Sequence, residues 1–358
     1  MNKRQNLLSL LRRQGYEEVP VEFFMCPSLE EEYHRRHGHE QQYEDYFGFS
    51  WDKVDDLRLP EHDTEQYRHY FDPPLKSDGF IDLWGVGHEP SPNSAHMTHM
   101  RNPLKHVGSM RELEAYPFPD FEHADGHHQK EQADAIHARG LASVGFMPMT
   151  IWEIAWYLRG MEELMMDMAM KDPKALALFD RVTEIAIRRA RSFAAAGVDL
   201  LFIGDDIGMQ QSIMMSENMY KEWIWHRLKQ VIEAAKAVKP DILVIYHSCG
   251  YIMPFIPSLI EAGVDVLNPI QTECISFEEV HRLYGQDLSF HGTIGTQTTM
   301  PHGTPEEVKK AVTDNLNIAG KKGGLYVAPT HMLEPEVPWE NILAYVEACR
   351  SYKHENNA

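Results

Sequence analysis

From about residue 140 onward, short runs rich in β-branched and aromatic residues alternate with stretches of helical periodicity. This alternation is typical of successive βα units around a parallel sheet, whose strands are covered by helices on the outside. The runs that predict strands cover residues 143–147, 200–206, 242–248, 264–268, 288–293 and 324–329. The alternation of strand and helix patterns therefore predicts a fold of the α/β class.

Two earlier runs complete the number of strands that a closed barrel needs. Residues 19–25 predict a seventh strand, and residues 81–86 predict either an eighth strand or part of a hairpin. A chain of 358 residues lies within the size range of a single (β/α)8 TIM barrel. We therefore predict one barrel domain over residues 1–358. Residues 27–140, which include "YPFPDFEHADGHH", predict an irregular extension that covers the carboxyl-terminal mouth of the barrel.

The charge balance excludes some classes of partner. The chain has 54 acidic and 34 basic residues and a formal net charge of −20, which repels phosphate backbones and anionic lipid. No segment approaches ~18 consecutive apolar residues, and the N-terminal stretch lacks an uninterrupted apolar core. Four scattered cysteines do not form a disulfide framework in a chain of this length. These features predict a cytoplasmic protein that binds neither nucleic acid nor membrane, and they leave its oligomeric state open.

Functional groups of a parallel barrel gather where the strands end, because all carboxyl ends point to one face. Several polar residues stand at or just beyond the predicted strand ends. They are Glu22, Cys26, Asp205, Asp206, His247, Ser248, Cys249, Asn268, Gln271, Glu273, Cys274, His291, Thr293, Thr330 and His331.

His247 and Cys249 are two residues apart at the end of a predicted strand, so their side chains leave the same face and are placed to bind one ion. Imidazole and thiolate favour zinc, and a catalytic zinc takes three protein ligands and keeps one position open. A hydrogen-bonded core histidine beside a small buried thiol is the other interpretation of this spacing. Candidates for the third ligand are His331, Cys274, Glu273 and His291.

Asp205 and Asp206 follow the apolar run 200–203. At least one carboxylate is expected to point into the mouth as a general acid or base or as a substrate anchor, while Asp206 is also suited to capping the next loop. Neighbouring strand residues alternate between faces, so we do not expect both to point inward. We predict Asp205 and His291 as catalytic residues. The predicted substrate-binding residues are Glu22, Asp82, Asp206, Tyr246 and Gln271.

The segment "HSCGYIMPFIPSLIEAGVDVLNPIQ" resembles the uroporphyrinogen decarboxylase superfamily, which includes the cobamide-dependent methyltransferases. "GVDLLFIGDDIG", "LSFHGTIGTQ" and "GGLYVAPTHMLEPEVPWENILAYVEA" resemble further segments of that superfamily. The resemblance implies a (β/α)8 barrel with its site at the mouth. True decarboxylases carry an arginine-rich segment after the first strand, whereas this chain has "VEFFMCPSLEEEYH", with Glu22 and an acidic run at 30–32 that would repel a polyanionic tetrapyrrole.

The methyltransferase branch has a His-x-Cys zinc motif and a distant cysteine after the last strand. His247 and Cys249 match the first part, and His331 in "APTHML" stands where that branch has the cysteine. The resemblance implies methyl transfer between a small methylated ether, amine or thiol and the cobalt of a corrinoid, a cobalamin-type group carried by a partner protein. Zinc would act as the Lewis acid. Asp205, His291 or Glu22 would position the substrate or return a proton.

Two other functions stay open at this stage. A metal-independent decarboxylase of a smaller substrate would use Asp82 or Asp205 as its proton-handling acid, and it would release carbon dioxide without cobalamin. A non-catalytic barrel that binds a corrinoid or tetrapyrrole would show stoichiometric binding without turnover. No convincing phosphate-binding glycine loop is present in the sequence, so a nucleotide cofactor is not predicted.

Overall fold

The computed structural model describes residues 1–91 and 98–353. In this part of the chain, strands alternate with helices from β5 onward. In chain order the strands are β1 (Trp51–Val54), β2 (Phe80–Ile81), β3 (Gly87–Pro90), β4 (Thr98–Arg101), β5 (Ala142–Met147), β6 (Leu200–Gly204), β7 (Leu243–His247), β8 (Val266–Asn268), β9 (Ser289–His291) and β10 (Leu325–Tyr326).

The α-helices are α1 (Lys3–Leu11), α2 (Pro27–His37), α3 (Tyr43–Phe47), α4 (Met110–Glu114), α5 (His127–Ala138), α6 (Trp152–Arg159), α7 (Met161–Met170), α8 (Pro173–Ala196), α9 (Glu217–Tyr220), α10 (His226–Val238), α11 (Ile256–Ala262), α12 (Phe277–Tyr284), α13 (Thr299–His302), α14 (Pro305–Ala319) and α15 (Trp339–Ser351). Short 3-10 helices cover Thr64–Tyr70 and Met253–Phe255, and a π-helical turn covers Lys221–Trp225. Within the described ranges, no helix has the length and apolar character needed to cross a membrane.

Seven parallel strands form the main sheet in the order β1-β5-β6-β7-β8-β9-β10, and β2, β3 and β4 form a small antiparallel sheet. The order of β5 to β10 follows the chain, as expected when each strand is joined to the next by an outer helix. The longest of these helices, α8, begins after Asp172, whose side chain accepts a hydrogen bond from the Lys174 amide, and packs against α10. All six strands predicted after residue 140 are confirmed; five are shorter than predicted, and β5 begins one residue earlier, at Ala142.

The two faces of the strands differ in what they contact. On β6, Leu200 and Phe202 belong to an inner cluster, whereas Leu201 and Ile203 belong to the outer core against the helices. The inner cluster also contains leucines of α1, which pack beside the first residues of the strands. Helix α1 therefore closes the amino end of the sheet and leaves the carboxyl end for the functional site.

The strand predicted over 19–25 is wrong in its extent. This segment is extended but pairs with the chain after β10 through the Met25–Leu333 bridge, where the Leu333 amide donates to the Phe24 carbonyl oxygen at 2.8 Å. Pro20 has no amide hydrogen to contribute to a ladder. The carbonyl oxygen of Glu22 instead accepts a hydrogen bond from the Tyr345 hydroxyl at 3.0 Å.

The prediction for residues 27–140 is also corrected. This segment contains helices α2 to α5 and the barrel strand β1, which pairs with β5, so it is not irregular throughout. Residues 81–86 form the start of a hairpin between β2 and β3 rather than an eighth barrel strand. Lys53 on β1, which belongs to this segment, lines a cavity at the mouth of the barrel. A wider covering of the mouth stays a prediction, and residues 92–97 lie outside the described part.

The close approach of β6 and β7 gives a first testable prediction. A Cβ atom added at Gly204 would lie 2.4 Å from the carbonyl oxygen of its register partner His247 and 2.6 Å from the His247 Cβ. Gly204→Ala should therefore force the strands apart and lower the free energy of unfolding by about 2–3 kcal/mol.

Gly197→Ala is the matched control, since a Cβ there meets no heavy atom within 4 Å. Its only cost is the backbone strain of a side chain at a left-handed φ of +86°. That strain costs about 1 kcal/mol. Urea denaturation measures both variants. A Gly204→Ala protein as stable as the parent would contradict the close packing.

Candidate active site at the carboxyl end of the sheet

Asp206, His247 and Cys249 bring three ligand atoms together where β6 and β7 end. One carboxylate oxygen, one imidazole nitrogen and the sulfur all lie within 4.8 Å of one another. His247 Nε2 is 3.6 Å from Cys249 Sγ and 3.6 Å from Asp206 Oδ1. Among the residues described, no other such group of three His, Cys, Asp or Glu residues was found. The donor set is one that zinc accepts.

The local sequence explains why these side chains converge. Gly204 and His247 are register partners, and the missing side chain of Gly204 leaves room for the backbone and the Cβ of His247. Asp206 lies two residues beyond Gly204, so its carboxylate leaves the same inner face. The Cys249 amide donates to Asp206 Oδ1 at 2.7 Å and joins the two loops.

A buried side-chain network fixes the orientation of His247. Its Nδ1 donates to Asn268 Oδ1 at 2.6 Å, while Asn268 Nδ2 donates to the carbonyl oxygen and to Nδ1 of His291, both at 3.0 Å. The bond to the backbone carbonyl sets which end of the Asn268 amide faces His247. The proton of His247 therefore sits on Nδ1, and the lone pair of Nε2 points toward Asp206 and Cys249. Such partners set the tautomer of a metal-binding histidine.

The network continues to Glu22, since His291 Nε2 donates to Glu22 Oε2 at 2.8 Å. Both side chains are only 2% exposed, and Tyr326 stacks on the His291 ring with centroids 4.8 Å apart. The second oxygen of Glu22, Oε1, is buried and has no hydrogen-bond partner among the described residues. No described residue therefore satisfies this oxygen.

Two cavities meet at this cluster. The smaller, of about 320 Å³, is lined by His247, Glu22 and His291 together with several aromatic rings, and the larger, of about 570 Å³, is lined by Asp206 and Cys249. The residues that line both cavities are Thr330, His331 and Met332. The three candidate ligands thus stand at the boundary between the two cavities.

Asp205 does not face the mouth, which corrects its predicted orientation. Its carboxylate is fully buried and accepts hydrogen bonds from the amides of Thr150, Ile151 and Glu153 at 3.3, 3.0 and 2.9 Å. Asp205 follows Ile203 on the outer face of β6, so alternation directs it to the amino end of α6. The loss of water around it raises its pKa to about 7, against the opposing effect of the amides.

Two further predicted residues lie away from the cavities. Tyr246 faces the outer core, where it is fully buried and its hydroxyl donates to the Asp205 carbonyl oxygen at 3.3 Å. Asp82 accepts hydrogen bonds from the Trp84 and Val86 amides in the β2–β3 turn. Neither lines the two mouth cavities. Their side chains satisfy local hydrogen bonds instead.

The other predicted residues surround the cluster. Gln271 lines the larger cavity, and its Oε1 accepts a hydrogen bond from the Gly250 amide at 2.8 Å. His331 is exposed at the rim shared by both cavities. Glu273 Oε1 accepts from the Thr298 hydroxyl at 2.9 Å, and burial raises the pKa of the neighbouring Cys274 thiol. The third member of the observed cluster is Asp206. The residues predicted as the third ligand, which include His331, Glu273 and Cys274, do not belong to it.

Two residues of the site, Lys53 and Glu153, were missed as functional residues in the sequence, and the role of a third, Asn268, was not assigned. Asn268 was visible as the end of a predicted strand, but its role depends on two histidines from neighbouring strands. Lys53 lies on β1, whose four residues include two charges and carry no clear alternation. Glu153 sits in a helix of apolar neighbours, and its contact with the Asp206 amide at 3.3 Å requires the fold to be known.

The chain belongs to the uroporphyrinogen decarboxylase family, whose model matches residues 104–352. It is 26% identical over 206 residues to a methylated-thiol–coenzyme M methyltransferase of Methanosarcina mazei, covering 55% of this chain and 50% of that protein. It is 24% identical over 180 residues to a uroporphyrinogen decarboxylase of Christiangramia forsetii, covering 50% and 49%. The chain therefore matches the methyltransferase branch over more of its length. It spans about half the length of the curated relatives it matches.

A solved structure described as a methyltransferase from Methanosarcina mazei covers 98% of both chains, with a TM-score of 0.66 and 17% sequence identity. At this identity the likeness shows the fold. Together with the parallel sheet and the family match, it confirms the predicted α/β barrel class.

Glu153 gives a prediction about pH. Burial, with the charges of Asp206 and Asp205, raises its pKa to about 8, and its Oε1 accepts a hydrogen bond from the Tyr157 hydroxyl. The folded state therefore holds a proton that the unfolded chain, with a pKa of about 4.3, has lost. The free energy of unfolding should fall between these values as pH rises, by up to about 1.4 kcal/mol per pH unit.

Glu153→Gln cannot lose that proton, so its stability relative to the parent should increase from about pH 5 to about pH 8. Urea denaturation of chelator-treated protein at several pH values measures the difference. Glu162→Gln, which removes an exposed carboxylate on α7, controls for the loss of a surface charge. A difference for Glu153→Gln that stays constant with pH would contradict the prediction.

Proposed function

We propose that this protein is a methyltransferase that moves a methyl group between a small methylated compound and a corrinoid carried by a partner protein. The observation that carries the proposal is the convergence of Asp206, His247 and Cys249 within 4.8 Å beside two cavities. Family membership and the similarity to a methyltransferase support it.

The residues of the cluster fit a zinc ion. His247 offers an unprotonated Nε2 because Asn268 accepts the Nδ1 proton. Burial and the carboxylates of Asp206 and Glu153 raise the pKa of the Cys249 thiol, so a thiolate here needs a cation beside it. Asp206, His247 and Cys249 would supply the three protein ligands that a catalytic zinc site uses beside its water or substrate position.

Zinc bound here would supply Lewis acidity that stabilises negative charge on the heteroatom losing or accepting the methyl group. The chain's own residues then have separate tasks. Asn268 holds His247 in one tautomer, and the buried Glu22 and His291 hold Asn268. Glu22 lines the smaller cavity, and the aromatic walls of that cavity exclude water from a bound substrate. A corrinoid in the cob(I) state would supply the electron pair that accepts the methyl group, while the electron pair of the broken bond between heteroatom and methyl carbon would stay on the heteroatom.

Metal analysis followed by a methyl-transfer assay with cob(I)alamin tests the proposal. Purified protein should contain about one zinc per chain. It should transfer methyl groups from at least one member of a panel of methyl ethers, methylamines and thioethers. His247→Ala and Cys249→Ser should lose both properties, whereas Cys274→Ser should keep them. Metal-free protein that is inert toward the panel would overturn the proposal, and carbon dioxide release without cobalamin would support the decarboxylase alternative.

A pair of variants decides the third ligand. Asp206→Ala should lower zinc content strongly because its carboxylate lies 3.6 Å from His247 Nε2. His331→Ala removes the exposed rim histidine and should keep the metal. The reverse result would place His331 in the site, as the resemblance implied, and remove Asp206 from it.

The orienting role of Asn268 gives a further prediction. Asn268→Ala removes the acceptor of the His247 Nδ1 proton, so zinc affinity should fall by about 10- to 100-fold. Chelator competition measures this affinity. Gln271→Ala is the control, since Gln271 contacts the Gly250 amide and does not contact His247. Equal zinc affinity of Asn268→Ala and the parent would show that the network does not support the metal ligand.

A further inference from the structure

Lys53 places a cation in the smaller mouth cavity. Trp51 and Lys53 share the inner face of β1. Trp51 is nearer the amino end of the strand, and the centroid of its ring lies 5.3 Å from that of the His291 ring. Lys53 Nζ lies 4.6 Å from the centroid of the Phe24 ring and 4.3 Å from that of Phe146. Its ammonium is therefore held over two aromatic rings at one end of the cavity.

This cation has no carboxylate partner within 4.0 Å in residues 1–91 and 98–353, although the chain has 54 acidic residues. Surrounding protein atoms lower the pKa of the ammonium, and the more distant charges of Glu22 and Glu44 oppose this shift. Part of the side chain stays exposed in the cavity. An unpaired cation at the wall of a cavity is suited to an anion on a bound ligand.

A row of aromatic rings connects Lys53 with the candidate metal ligands. Ring centroids of Phe146 and Phe202 are 4.9 Å apart, and the Phe202 and His247 rings are 6.1 Å apart at an interplanar angle of 30°. Phe24 adds a third wall, 6.2 Å from Phe146. An apolar body lying on this row would reach from the ammonium to His247.

We propose that Lys53 binds a carboxylate at the end of the substrate remote from its methyl group, so that the substrate is a methylated compound with a flat or unbranched apolar body and one carboxylate. This inference rests on the proposed function for the placement of the methyl group at Asp206, His247 and Cys249.

The cavity and its other polar group agree with this assignment. The volume of about 320 Å³ is at the lower end of the ~300–1,000 Å³ range of small-molecule sites, so the ligand is small. Glu22 and Lys53 both line the cavity but are not within ion-pair distance of each other. The carboxylate of Glu22 repels a ligand anion, whereas the ammonium of Lys53 attracts it, so Lys53 is the group in this cavity that favours the ligand carboxylate.

Isothermal titration with matched compounds tests the inference without a corrinoid. The probes are 4-methoxybenzoate against 4-methoxybenzamide, and 3-(methylthio)propanoate against 3-(methylthio)propanamide. In at least one pair, the carboxylate should bind the parent about 10-fold more tightly than the amide or better. Lys53→Met should weaken carboxylate binding by about 10- to 100-fold and leave amide binding within about 2-fold.

Two variants serve as controls. Lys53→Arg keeps the charge and should retain most of the carboxylate preference. Lys130→Met removes an exposed cation of α5 that pairs with Asp134, and it should behave as the parent. Thermal unfolding of each variant confirms that the fold is intact. A carboxylate preference that survives in Lys53→Met would overturn the inference, as would a parent protein that prefers neither carboxylate.

The outcomes separate this inference from the proposed function. Titration of chelator-treated protein should retain the Lys53-dependent preference, since the contact does not involve the metal. If that preference persists in a protein without methyl transfer, the function fails while the anion site stands. If neutral ethers and carboxylates transfer their methyl groups equally well and bind equally well, the function stands while the anion site fails.

Discussion

The hydrogen bond from His247 Nδ1 to Asn268 Oδ1, 2.6 Å long, is the interaction on which the site depends. It leaves Nε2 of His247 unprotonated and directed at Asp206 and Cys249, where a protonated nitrogen would bind no metal. The bond forms because Gly204 leaves room for the backbone and Cβ of His247 and because the neighbouring strand β8 ends at Asn268. The geometry of the cluster thus depends on the glycine at position 204, on the end of strand β8 and on the side-chain amide of Asn268.

The same network joins two environments with different tasks. At one end, Glu22 and His291 lie almost without solvent exposure in the barrel interior. At the other end, Asp206 is 40% exposed in the larger cavity. Buried hydrogen bonds restrain the side chains they join, and a restrained network holds a ligand atom more precisely than a loop side chain can. Glu22 Oε1 is the member without a partner in the described residues.

Much of the fold was predictable from residue 143 onward, because each strand there is a continuous apolar run followed by a helix with clear boundaries. His247 and Cys249 were predictable for the same reason, since a strand end in a parallel barrel faces the mouth. Alternation on β6 could have assigned Asp206 to the inner face and Asp205 to the outer face, but only once Phe202 was known to point inward. Lys53 and the bridge at Met25 depend on pairing between distant segments, which no local pattern records.

The central claim is that Asp206, His247 and Cys249 hold a zinc ion. Anomalous scattering from a crystal, recorded on both sides of the zinc absorption edge, tests it most directly. The account predicts one strong peak about 2.0–2.3 Å from His247 Nε2, Cys249 Sγ and an Asp206 oxygen. A zinc-supplemented crystal without a peak there, or with the peak bound to other residues, would contradict it.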